Sequence, residues 1–139
     1  MVAVNYDHEI AYGYDPNGKS YPRLTVRLIN PADVEQAIDL DAYLDSGAER
    51  SIFTGNLAPL IGIELMAGEE IVFEPAIGVS TAGRLHAVRV SHEALGTFDI
   101  EVAFSTGQLS RNLLGRDFFN RLQVGFRESQ AVFYVTATP

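Results

Sequence analysis

The chain has 139 residues, enough for one domain with a substantial core and too few for a two-lobed enzyme. With 18 acidic against 10 basic residues its formal charge is -8, and no basic run or basic-aromatic interleaving appears, which argues against nucleic acid as a partner. Cysteine is absent, excluding disulfides, thiolate metal sites and cysteine nucleophiles, and no stretch is long and apolar enough for a membrane-spanning helix.

Ile10 to Tyr14 reads as a short strand entering a turn at Asp15-Pro16-Asn17-Gly18, since Asn-Gly readily takes the positive φ angles of a tight hairpin. Leu24-Thr-Val26-Arg-Leu28 alternates as a half-buried strand, Asn30-Pro31-Ala-Asp33 breaks it, and Ala37 to Asp45 returns as the second arm of a hairpin. Ser51-Ile52-Phe53 is extended. Asn56 to Ile61 predicts one or two helical turns, with Thr54 or Asn56 as cap and Gly62 as stop. Glu70 to Ile77 and Arg84 to Val90 are β-prone arms around Gly78-Val79-Ser80-Thr81-Ala82-Gly83. Phe98 to Phe104 alternates again and leads to Asn112-Leu113-Leu114-Gly115-Arg116-Asp117. Arg116 to Leu122 has the spacing of a short helix, and Ala131 to Val135 that of a final strand. With no linker, repeat or low-complexity tract, one domain over residues 1–139 is expected.

The run Ala42-Tyr43-Leu44-Asp45-Ser46-Gly47-Ala48 carries the chemistry. If Leu40 to Asp45 is extended, Ala42 and Leu44 face one side while Tyr43 and Asp45 face the other, so one face is core and the other a cleft. Ser46 then offers a hydroxyl at the strand's end, and Gly47 lets the backbone turn sharply. Asp-Ser-Gly alone is also common in turns, where the carboxylate bonds local backbone.

This run resembles the Asp-Thr/Ser-Gly-Ala signature of aspartic proteases, and Asn112 to Asp117 resembles the two-hydrophobes-then-Gly-Arg motif that closes the retropepsin domain. The resemblance covers roughly Tyr21 to Val135. It implies an all-β retropepsin-like half-barrel with a flap hairpin and one or two short helices, residues 21–135 forming the core and residues 1–20 an N-terminal extension or hairpin. Asp45 is then the catalytic residue, supported by Ser46, Gly47 and Ala48, with Glu49 and Arg116 as a structural ion pair. Gly78, Val79, Ser80 and Thr81 would meet substrate from the flap. Tyr43 would line the pocket beside the scissile bond, although an ordinary cross-strand tyrosine explains it equally well.

One Asp-Ser-Gly supplies one carboxylate where the chemistry needs two, so the resemblance implies a homodimer, held by a sheet of interleaved chain termini that takes in Ala131 to Thr136 and extends to the first residues. The function implied is an aspartic endopeptidase acting on a peptide or protein substrate without metal or organic cofactor. The alternatives are a non-catalytic retropepsin-fold dimerisation or peptide-binding module, and an enzyme held latent by its first twenty residues. The start lacks the basic and apolar runs of a leader, so a soluble cytoplasmic protein with no membrane partner is expected.

Other motifs fare worse. Gly78-Val-Ser80-Thr-Ala82 glances at a nucleophile elbow, yet a β-prone run stands where the helix belongs. In Asp39-Leu-Asp41-Ala-Tyr43-Leu-Asp45, Tyr43 and Leu44 occupy positions where a calcium loop needs a ligand and a glycine. His8, His86 and His92 lack metal-binding spacing and read as surface residues.

Overall fold

The computed structural model describes residues 1–73 and 81–138. Its first elements are β1 (His8–Ala11) and a small hairpin, β2 (Gly13–Tyr14) with β3 (Ser20–Tyr21). The expected turn between them is tied by Asp15, whose Oδ1 accepts the amides of Asn17 and Lys19, both at 2.9 Å.

In β4 (Arg23–Asn30), Leu24, Val26 and Leu28 are buried while Thr25 and Arg27 are exposed, so period-two alternation sets the inward face. The partner strand β5 (Asp33–Leu44) starts earlier than the apolar pattern suggests. Its first half is a solvent-exposed hairpin arm bearing Asp33, Glu35 and Gln36, while Leu40, Ala42 and Leu44 are buried in the core and Ile38 packs against it. Buried Asn30 links this hairpin to the next helix, donating from Nδ2 to the Ile61 carbonyl at 2.9 Å and accepting from the Ala32 amide at Oδ1.

After β6 (Ile52–Thr54), the helix α1 (Leu57–Leu60) is a single turn. Asn56 holds the N-cap position without a side-chain capping bond, and Gly62 at φ 74° ends the turn as expected. The arms β7 (Glu69–Phe73) and β8 (Thr81–His92) pair antiparallel with Phe73 opposite Thr81. That register corrects the start of the second arm: Ala82 and Gly83, expected in the connection, are strand residues facing Val72 and Ile71, while the expected end of the first arm at Ile77 lies outside the described residues. Strands β9 (Gly96–Ser105) and β10 (Leu113–Leu114) follow, then α2 (Arg116–Phe119).

The larger sheet runs β4-β5-β10-β6-β9-β8-β7, and an additional β4–β8 pairing joins its two sides into a closed barrel. Closure leaves β7 outside the ring, paired to β8 alone among the described residues. Phe53, Phe104, Leu114 and Phe118 are fully buried in the barrel core, and burial of each such side chain contributes about 1.5–3 kcal/mol.

A strand not anticipated from sequence, β11 (Leu122–Arg127), takes the segment following α2. It pairs with β12 (Val132–Ala137), whose other edge pairs with β1, giving a three-stranded sheet in the order β1-β12-β11. The first strand is therefore integral to the sheet that holds the last. Tyr12 extends the attachment, its amide donating to the Ala131 carbonyl at 2.8 Å and its hydroxyl to Glu128 Oε2 at 2.6 Å. Burial and the Glu128 carboxylate push the Tyr12 hydroxyl up to about 12.

Candidate active site

Asp45 follows directly on β5 and is fixed by the strand that crosses beside it. β10 runs parallel to β5, with Leu113 opposite Tyr43 and Leu114 opposite Leu44. Its carbonyls take the final amides of the first motif: Tyr43 donates to Asn112 at 2.8 Å and Asp45 to Leu114 at 3.0 Å. Between them Leu44 donates to Pro22 on the other side at 2.9 Å. The two sequence motifs thus meet through backbone bonds.

The side chain of Asp45 is half-exposed, and its Oδ1 accepts the Gly47 amide at 2.9 Å. A Cβ on Gly47 would lie 3.2 Å from that same oxygen, so the small residue keeps the carboxylate accessible to the amide. Asp45 Oδ2 makes no hydrogen bond to the described residues. Ser46 is exposed, and its hydroxyl likewise bonds to nothing in the described chain.

Behind this loop, the second motif packs at backbone distance. A Cβ on Gly115 would sit 2.6 Å from the Ala48 carbonyl oxygen and 2.8 Å from the Arg50 carbonyl carbon, contacts that only glycine avoids. The Arg116 amide donates to the Ala48 carbonyl at 2.8 Å and the Asp117 amide to the Glu49 carbonyl at 3.3 Å.

Glu49 and Arg116, expected to join the loop to the helix, form no ion pair among the described residues. Both are exposed. The connection is made by Asp117, which the sequence reading did not single out. Its carboxylate accepts the Ser51 amide at 2.9 Å on both oxygens, the Ser51 hydroxyl at 2.7 Å and the Phe118 amide at 2.8 Å. Ser51 is fully buried, and its Oγ in turn accepts the Gly115 amide at 3.0 Å. Charge-assisted bonds to a buried serine make a shorter tether than two long side chains at the surface. An acid in the first turn of a predicted helix was the available signal.

Asp45 opens onto a cleft of about 1320 Å³ whose walls include Ala48, Ile71, Phe73, Leu113 and Arg116. Charges along its wall are partly paired: Arg50 meets Glu101 at 3.3 Å, and Arg89 meets Asp99 at 2.7 Å. The Arg89 bond holds the Asp99 carboxyl below the ordinary carboxylate range.

Tyr43 lies on the Asp45 side of the strand, as alternation predicts, and both line a smaller pocket of about 360 Å³. Its ring stacks on Tyr21 at 5.0 Å with an interplanar angle of 4°. Thr81 stands in β8 beside Gly107, whereas Gly78, Val79 and Ser80 lie outside the described residues. His8 is exposed as expected, whereas two histidines are less superficial: His86 bonds the Leu65 carbonyl at 2.8 Å, and His92 Nδ1 accepts the Ala94 amide at 3.1 Å. No cluster of potential metal ligands occurs among the described residues.

A closed β-barrel that ends one strand in an Asp-Ser-Gly loop, with a Leu-Leu-Gly strand wedged against it, is a retropepsin-like fold. The sequence profile described as "gag-polyprotein putative aspartyl protease" matches residues 31–121, well over half of the chain, and the chain belongs to this aspartyl protease family. Among solved structures it is similar to a retropepsin-like aspartic protease from Rickettsia conorii, with a TM-score of 0.64 and 18% identity over 99% of this chain and 100% of that one. It is also similar to EIAV protease in complex with the inhibitor HBY-793, with a TM-score of 0.52 and 18% identity over 76% of this chain and 91% of that one. No curated protein sequence matches it significantly. The Rickettsia likeness extends across the first twenty residues, in keeping with the place of β1 in the terminal sheet. Among the described residues, no helix is long and apolar enough to cross a membrane.

Proposed function

We propose that this chain is an aspartic endopeptidase that acts as a homodimer, each subunit supplying one Asp45. The observation that carries this reading is the state of that carboxylate: Oδ1 is held by the Gly47 amide while Oδ2 has no hydrogen bond among the described residues, and the residue lines an open cleft. Two such groups across a two-fold axis share one proton, because adjacent like charges cannot both ionise cheaply. The ionised member takes a proton from a water as that water attacks the peptide carbonyl, and the protonated member donates to the carbonyl oxygen. Collapse of the resulting diol passes a proton to the departing amine. The exposed Ser46 hydroxyl is available to bond across the dyad, and Ile71 and Phe73 support β7 and β8 as the base of a flap over the substrate.

The sheet formed by the chain's two ends is the dimer surface in this reading. Within the single chain both edges of β12 are occupied, by β1 and β11, which leaves the outer edges of the sheet for a partner. The outer edges of β1 and β11, with Phe126 exposed on the latter, support addition of a second copy to this sheet. The latent-enzyme reading finds no support in the described residues, since none from the first twenty lines either pocket at Asp45.

The test is cleavage of an unstructured protein across about pH 4 to 7 by wild type and Asp45→Asn at equal concentration, with mass measured in solution. Cleavage confined to wild-type dimers and falling toward neutral pH is expected. Equal activity of the two proteins would defeat the dyad, and folded dimers that both lack activity would favour the non-catalytic peptide-binding module.

A further inference from the structure

The smaller pocket is lined by Asp45 together with Tyr43, Leu109, Ser110, Arg111 and Leu113, which gives it apolar walls, the one carboxylate assigned to the dyad and one cation. Arg111 starts from a fixed point. Its neighbour Asn112 is clamped three ways, its carbonyl accepting the Tyr43 amide at 2.8 Å, its Oδ1 the Thr54 amide at 3.0 Å, and its Nδ2 donating to the Asp41 carbonyl at 3.4 Å. The guanidinium lies over the Tyr43 ring, with Cζ 4.8 Å from the centroid, and that ring also stacks on Tyr21.

An aromatic face attracts the cation but satisfies none of its five N–H donors. Among the described residues no carboxylate lies within ion-pair distance of Arg111, and its side chain makes no hydrogen bond. The other arginine near Tyr43, Arg23, faces Asp41 at 3.8 Å. A planar donor fork with no partner among the described residues thus lines a pocket whose leucine and tyrosine walls suit a methylene stem.

We propose that Arg111 is a specificity-determining residue of the peptidase assigned above, selecting a glutamate side chain at the substrate position seated beside Asp45. The inference rests on that assignment for the identity of the substrate. A carboxylate matches the guanidinium fork with two parallel bonds, which neither an amide nor a hydrocarbon can reproduce. Because the chain as a whole is acidic, the preference is local and weakens as salt screens it.

The experiment uses peptides identical except for Glu or Gln at the residue on either side of the scissile bond, assayed near pH 5.5, above the usual glutamate pKa of about 4.3. Wild type should favour Glu in kcat/KM by roughly tenfold at one of the two positions. Arg111→Gln should bring that ratio to about one, and Arg111→Lys should restore part of it. Each ratio is taken within a single protein sample, so a partly unfolded variant does not distort it. Equal rates for the wild-type pair, or an unchanged ratio in Arg111→Gln, would overturn the inference. Should wild type cleave nothing, the peptidase reading fails, and the same Glu and Gln pair carrying a reduced amide at the scissile bond tests Arg111 through Kd. Equal affinities there would overturn the inference independently.

Discussion

Removal of the Asp117 carboxylate, by Asp117→Ala, should destabilise the fold and disorganise the Asp45 loop together. The substitution orphans the Ser51 amide and removes the acceptor of the Ser51 hydroxyl, both fully buried, whereas the Phe118 amide keeps its bond to the Gly115 carbonyl at 3.0 Å. A buried unpaired donor costs about 1–3 kcal/mol and a lost bond to a charged group about 1.5–3 kcal/mol, so the expected loss is about 3–5 kcal/mol. That is a large share of a typical stability of about 5–15 kcal/mol, and at this chain length it lowers Tm by about 10–20 °C. Urea unfolding followed by circular dichroism suits the assay, since the chain has six tyrosines and no tryptophan. Protein concentration must be held constant, because a dimer's stability depends on it. The Ser51→Ala, Asp117→Ala and double variants form a cycle in which coupling above about 1 kcal/mol is expected. A loss below about 1 kcal/mol for Asp117→Ala, or strict additivity in the cycle, would refute the view that this carboxylate is the tether.

Three further outcomes are expected. Gly115→Ala should cost about 1–3 kcal/mol in urea unfolding through its clash with the Ala48 and Arg50 backbone, and should lower activity beyond its effect on folding by displacing the loop that carries Asp45. Ala131→Gly should leave stability unchanged or raise it by up to about 1 kcal/mol, because Ala131 occupies the left-handed region at φ 52°. The third concerns His92, whose pKa lies below the ordinary value, chiefly through burial, with Glu93 opposing and His8 reinforcing the shift. The unfolded chain therefore takes up the proton first, and stability should fall as pH drops below about 6.5 toward the folded pKa. His92→Gln should flatten that part of a Tm-against-pH curve.

Local pattern was sufficient wherever one residue type answered one local demand. The alternation of Leu24, Val26 and Leu28, the Asn17-Gly18 turn, the Gly62 stop and the placement of Tyr43 with Asp45 on one strand face all follow from period and backbone preference. The motif at Asp45 and the motif at Leu113 were both legible, but their contact was not, because a parallel pairing between β5 and β10 leaves no turn signal in sequence.

The surprises share that origin. β11 escaped notice although Leu122, Val124 and Phe126 alternate with Gln123, Gly125 and Arg127, because the helical spacing read from Arg116 to Leu122 ran into its start and the run is short; β12 and Tyr6 supply the packing that makes it a strand. The true hairpin register of β7 with β8 depended on which residues face each other across the sheet, which composition does not encode. Glu49 and Arg116 have complementary charges, yet Asp117 holds the loop, because Ser51 is buried within reach of its short side chain. Sequence alone determined the class of fold and the residue on which the chemistry is proposed to rest, since both depend on periodicity and a local motif. Tertiary structure alone decided what holds that residue in place and which cation stands beside it, since those are contacts between segments more than sixty residues apart along the chain.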